Sequence, residues 1–289
     1  MSISEALGEQ REAKLSQGTV RYRERGQGEP IVFVHGLLVN GDLWRKVVPL
    51  LADRYRCITP DWPLGSHEEP LSSDADLTPP GLARLIADFL EKLDLHDVTL
   101  VSNDTGTALT QLVATSHPER VLRIVLTTGD AFDNFPPKAF KGVIGLGYIP
   151  GLLWLLDKSA RPNAVRRAFF GPLAKNVPGP EILESFGGNL KKSGIRRDLN
   201  KVLRALRSRY TKEAAEKLPD LKASALMVWA PDDKFFPNEH AKRLAELIPD
   251  ADVVWIEDSR AFVSEDQPER TAEAIGRFMA ERPIATVAG

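Results

Sequence analysis

The chain has 289 residues, 43% of them hydrophobic, and a net charge of -2, enough for one large domain or a domain with an insertion. That charge balance gives no reason to expect nucleic acid or a membrane surface as a partner. The single cysteine, Cys57, excludes an internal disulfide and a cysteine-based metal cluster. A polar N-terminus of mixed charge argues against a secretory signal. The most apolar segment, residues 143–156, is interrupted by Gly145, Gly147, Pro150 and Gly151 and is too short for a bilayer. The expected setting is soluble and cytoplasmic.

In chain order, residues 1–11 are polar and expected to be loose. Ala13–Leu15 and Thr19–Arg23, joined by Ser16-Gln17-Gly18, predict a hairpin. Ile31–Val34 reads as a buried strand running into His35-Gly36. Trp44, Val47, Val48, Leu50 and Leu51 have helical spacing, with Asp42 as the expected cap. Tyr55–Thr59 predicts a strand in which Cys57 is a core residue. A turn-rich loop, 62–77, carries His67. Leu82, Leu85, Ile86, Phe89 and Leu90 form a helical stripe, and Asp97–Val101 reads as a strand.

Then comes Val101-Ser102-Asn103-Asp104-Thr105-Gly106, followed by the helix-like Ala108–Ala114. Small residues flanking one functional residue between a strand and a helix are the pattern of a nucleophile elbow. The bend projects the central side chain, here Asp104, beside the positive end of the next helix. The plainer alternative is an aspartate that only caps that helix. Val121–Leu126 predicts another strand. Alternation stops at 130–218, a proline-punctuated, helix-rich stretch, and resumes with strands at 225–229 and 253–256 and helices at 239–247 and 267–279. Strand–helix alternation argues for a mostly parallel sheet flanked by helices. The expected organisation is an α/β core of residues 1–129 and 219–289, with 130–218 as a helical cap over the carboxyl ends of the strands.

His35-Gly36, the Asp104 elbow and Trp229-Ala230-Pro231-Asp232-Asp233-Lys234-Phe235-Phe236-Pro237, in that order, resemble the α/β-hydrolase superfamily over nearly the whole chain. An aspartate at the elbow resembles the branch of haloalkane dehalogenases and epoxide hydrolases. The resemblance implies that Asp104 is a nucleophile that forms an alkyl-enzyme ester. It implies an oxyanion hole made by the backbone amides of Leu37 and Thr105, on the loop of His35 and Gly36 and at the elbow. It places the acid at Asp233 and the base histidine where this chain has Ala261, before Phe262. Alanine takes no proton, and general-base help is worth ~10²–10⁴-fold, so hydrolysis of the ester is expected to be slow or to stall.

His67 is the candidate surrogate base, because its loop leaves the carboxyl end of a strand. His96, His117 and His240 read as structural or surface residues, and Asp130 and Asp133 as alternative acids. Tyr148 and Tyr210 are candidates for protonating an opening epoxide; Tyr148, Trp154 and Phe262 are candidates for the pocket wall. Thr105 and Leu37 stand where dehalogenases of this branch hold the halide, which disfavours dehalogenation. The expected partner is a small, largely apolar substrate, with no metal and no cofactor. The alternatives are a non-hydrolytic lyase, isomerase or cyclase on the same scaffold, or a catalytically inactive protein that binds a small ligand. A basic run from Lys191 to Lys212 is expected to be a solvated helix face, or a surface that attracts anions.

Overall fold

A computed structural model describes residues 2–284 except 147, 150, 160 and 161. Eight strands form one sheet in the order β1-β2-β4-β3-β5-β6-β7-β8. They are β1 (Glu9–Leu15), β2 (Gly18–Arg25), β3 (Glu29–Val34), β4 (Tyr55–Pro60), β5 (Val98–Asp104), β6 (Val121–Gly129), β7 (Ser224–Trp229) and β8 (Ala251–Trp255). β1 pairs with β2, and β2 with β4, antiparallel; from β4 to β8 the pairing is parallel. The middle strands are buried along almost their whole length. This explains their unbroken Val/Ile/Leu runs, since helices cover both faces of a parallel sheet. Cys57 is buried among them, and burial pushes its thiol up to about 12, so it is inert as a nucleophile.

The core helices are α1 (Val48–Leu51), α2 (Pro79–Lys92), α3 (Thr105–Ser116) and, late in the chain, α10 (Asn238–Leu247), α11 (Val263–Asp266) and α12 (Pro268–Glu281). Between β6 and β7 lie six more: α4 (Lys141–Leu146), α5 (Leu152–Ser159), α6 (Asn163–Phe170), α7 (Pro180–Ser185), α8 (Ser193–Ala205) and α9 (Ser208–Lys217). That stretch holds no strand among the described residues.

Two local expectations are corrected. The first residues are held rather than loose: Ser2 N–H donates to Asp61 at 2.8 Å, and Ile3 and Ser4 N–H donate to the Asp42 carboxylate. A buried carboxylate needs donors, and the N-terminal backbone supplies them. Asp42 is therefore not the cap of the following turn; Asn40 is, accepting the Asp42 N–H at 3.0 Å.

Candidate active site

Parallel pairing brings the carboxyl ends of β3, β5, β6, β7 and β8 to one edge of the sheet, where sites of open α/β sheets form. β5 ends at Asp104, whose φ of 54° and ψ of -127° lie outside the ordinary regions for a residue with a side chain. The bend fits only because its neighbours are small. A Cβ on Gly106 would lie 2.1 Å from the Val34 carbonyl, and one on Gly36 would lie 2.6 Å from the Asp104 carboxylate. Apart from its contact with the adjoining Thr105, the Asp104 side chain makes no capping bond to α3, as the helix-cap alternative would require.

The Asp104 carboxyl faces a cavity of about 280 Å³. Burial pushes it up to about 7, against the stabilising hydrogen bonds of the Thr105 amide and hydroxyl. Thr105 Oγ1 lies 3.4 Å from Asp104 Oδ1 and 3.4 Å from Asp130 Oδ2. Asp130 follows β6 and is buried, and burial followed by the Asp104 charge raises it well above the carboxylate range. A threonine hydroxyl has one proton, so two ionised carboxylates cannot both be served. The arrangement closes when one of them is protonated.

Asp233, after β7, has its carboxylate committed to the backbone. Oδ1 accepts the N–H groups of Phe235 and Phe236 at 2.7 and 2.8 Å, and Oδ2 accepts that of Ala261 at 2.8 Å. Burial raises its pKa, opposed by these three donors. Ala261 is fully buried, and its carbonyl accepts Asn103 Nδ2 at 2.7 Å. Asn103 also reaches Thr127 Oγ1 and the Thr128 carbonyl at 3.0 and 3.1 Å. It thereby ties the elbow to the Ala261 loop, a role sequence reasoning missed. The signal for it was a carboxamide, Asn103, at the buried end of a strand, next to the elbow residue.

His35 is a pin for the loop that carries Leu37. Its Nε2 accepts the Trp62 N–H at 2.8 Å and its Nδ1–H donates to the Gly36 carbonyl at 2.9 Å. An accepting Nε2 requires the neutral ring, and burial lowers its pKa to about 3.

The cavity wall is apolar. Leu37, Leu38 and Thr105 form its floor beside Asp104, and the 130–218 segment supplies the remainder, including Phe140, Phe170, Phe186 and Leu199. Arg166 also lines it and donates to the Leu183 carbonyl at 2.9 Å. Five expected residues lie elsewhere. Tyr148 and Trp154 are 48% and 45% exposed. Leu153 turns into the cavity, which sends its helical neighbour Trp154 outward, about 100° away. Phe262 is buried behind the wall, its ring 6.5 Å from that of Phe170. His67 Nε2–H donates to Asp198 Oδ2 on α8 at 3.2 Å; His67 thus joins the core to the 130–218 segment and does not line the cavity. Nor does Tyr210, whose hydroxyl accepts Arg209 at 2.7 Å. His240, expected at the surface, is half-buried with its ring 5.2 Å from Phe132. Among the described residues no group of His, Cys, Asp and Glu side chains is arranged to hold a metal ion, and no helix is long and apolar enough to cross a membrane.

Sheet order, elbow and strand-end acid define the class, and the chain belongs to the alpha/beta hydrolase fold family, which residues 29–268 match. It is similar to an uncharacterized hydrolase, YugF, of Bacillus subtilis, 26% identical over 89% of this chain and 92% of that protein. A haloalkane dehalogenase of Mesorhizobium japonicum is 36% identical over 37% of this chain and 35% of its own length. A cis-3-alkyl-4-alkyloxetan-2-one decarboxylase of Xanthomonas campestris pv. campestris is 32% identical over 50% of this chain and 56% of its own length. Among solved structures, the ligand-free epoxide hydrolase CorEH superposes with a TM-score of 0.79 at 20% identity, over 94% of this chain and 99% of that one. Its likeness is one of fold. By its family and its named relatives the chain is a hydrolase-type enzyme.

Proposed function

We propose that Asp104 is the nucleophile of an enzyme that acts on a small, largely apolar electrophile held beneath a cap formed by residues 130–218. The observation that carries this reading is the Asp104 carboxyl, held at a strained bend and facing an apolar cavity. An Asp104 oxygen attacks the electrophilic carbon, a carbon–oxygen ester bond forms, and the leaving group departs with the electron pair of the broken bond. When water attacks the ester carbonyl, the amides of Leu37 and Thr105 hold the oxyanion. No imidazole stands at position 261 to activate that water, so the ester accumulates.

The test is intact mass spectrometry after incubation with a panel of epoxides and haloalkanes. A stable adduct located on Asp104, absent from Asp104→Asn, supports the nucleophile. A complete lack of adduct and of product across the panel overturns it.

A second reading is favoured by the hydroxyl-bridged Asp104 and Asp130 pair: a lyase or isomerase in which Asp104 moves a proton and no activated water is needed. The partial likeness to a protein named as a decarboxylase fits this reading. It predicts product without adduct, at a rate that Ala261→His leaves unchanged.

A further inference from the structure

Among the described residues eight large hydrophobic side chains are exposed, and six of them fall within residues 148–169: Tyr148, Ile149, Trp154, Leu155, Val165 and Phe169, each between 37% and 54% accessible. On α5 and α6 this face backs directly onto the cavity wall: Leu153 and Phe170 of the same helices line the cavity, and the partly exposed Phe169 lines it as well. A helix flanking a cavity on a water-exposed surface should be polar on its outer side; one apolar on both sides is normally covered on both. Such a concentration of exposed apolar groups marks an interaction surface.

The charge around these residues says what covers them. Residues 138–212 hold sixteen Lys and Arg against four Asp and Glu, whereas the remainder of the chain holds 22 against 36. The net charge of -2 thus conceals a strongly positive segment, and the expectation of no membrane partner rested on that net value. Cations are stacked on the exposed aromatics themselves. Lys158 Nζ lies 4.0 Å from the centre of the Trp154 ring, and Arg204 lies 5.7 Å from that of Tyr148. Lys138, Lys141 and Arg167 are exposed on the same stretch. Exposed tryptophan and leucine flanked by basic side chains is the chemistry of a helix lying at a lipid–water interface, with apolar groups among the acyl chains and cations among the phosphates. A second copy joined through the same face would oppose two positive segments.

We propose that the outer face of α5 and α6, with Tyr148 and Ile149, docks on an anionic lipid surface. Docking places the cavity wall against the bilayer, and apolar molecules dissolved there have the shortest route to the cavity through these helices. The proposal stands whichever chemistry Asp104 performs.

The test is co-sedimentation of the full chain with vesicles of phosphatidylcholine alone, or with one-third phosphatidylglycerol, at low and high salt. Binding is expected only with phosphatidylglycerol, and should fall at least tenfold in 0.5 M salt, because screening acts on the phosphate contacts. Trp154 is the exposed tryptophan, with Trp44, Trp62 and Trp229 buried and Trp255 half-buried on β8, so brominated lipids should quench its fluorescence and Trp154→Phe should remove that quenching. Ile149→Glu with Leu155→Glu should remove both binding and quenching. Lys158→Ala and Arg167→Ala should each weaken binding about fivefold. Absence of binding to phosphatidylglycerol vesicles at low salt overturns the proposal, as does binding without quenching. A dimer in sedimentation velocity that Leu155→Glu dissociates, with no vesicle binding, assigns the face to a second copy instead.

Discussion

Asp233 Oδ2 accepts the backbone N–H of Ala261 at 2.8 Å, so the carboxylate proposed as the acid grips the main chain at the residue where, on that proposal, a base histidine would stand. That bond does not depend on the side chain at 261, and it holds the loop where an imidazole would be within reach of Asp233. Ala261→His is therefore expected to raise ester hydrolysis at least a hundredfold, in line with general-base magnitudes. Enlarging a fully buried alanine should cost about 1–3 kcal/mol of stability. Single-turnover decay of the Asp104 adduct, followed by mass, checks the first expectation, and thermal unfolding checks the second. An unchanged decay in a folded variant removes the base assignment.

Burial pushes the Asp104 carboxyl up to about 7, and in the proposed reaction only its ionised form attacks carbon. Adduct formation should rise as pH rises through about 7 and then level off. Stability runs the other way. The unfolded chain releases this proton near 3.8 while the folded chain keeps it to about 7, so stability is full below pH ~4 and is lost as pH rises through about 7. Asp104→Asn should abolish the adduct, flatten that decline and stabilise the protein by ~1 kcal/mol at pH 8, as replacement of strained active-site groups often does. Urea unfolding at pH 5 and pH 8 measures it.

Burial and then the Asp104 charge hold Asp130 well above its ordinary value, which favours it as the protonated partner across Thr105. Asn at 130 imitates that neutral form. Asp130→Asn should leave the adduct rate at pH 7 within about threefold and reduce the pH profile to a single inflection, because one of the two interacting carboxyls is gone. Loss of all reaction at pH 7 would instead make Asp130 a proton carrier, as the non-hydrolytic reading requires.

His67 and Asp198 form a buried pair. Burial lowers the His67 pKa, and bonds from His67, Arg197 and the Leu71 amide hold Asp198 low despite its burial. Asp198→Ala would leave buried donors unpaired, at a cost of about 3 kcal/mol. His67→Gln should lower the melting temperature while leaving the pH dependence of adduct formation unchanged. A shifted pH profile in His67→Gln would restore it as a surrogate base.

The central strands were legible because each is an apolar run bounded by turn residues, whereas the charged, exposed first half of β1 was not; the elbow was legible because Gly106 and Asp104 carry its sterics in sequence. The N-terminal residues were misjudged: nothing local in Ser2 or Ile3 reveals that Asp61 and Asp42 lie across the fold to take their amides. Tyr148 and Trp154 were placed in the cavity wall on apolarity alone. Composition does not state helical phase, and one residue of phase separates Leu153, which faces the cavity, from Trp154, which does not.

From residue order alone followed the family, the aspartate at the bend and the alanine at 261, because these depend on local sterics and spacing. Tertiary structure alone decided that Asp130 shares the Thr105 hydroxyl with Asp104, that Asn103 holds the Ala261 loop, and that His67 is occupied by Asp198. Those contacts join residues 25, 158 and 131 positions apart. Hydrogen bonds act over about 3 Å, so such pairs exist only once parallel strands have brought their ends to one edge.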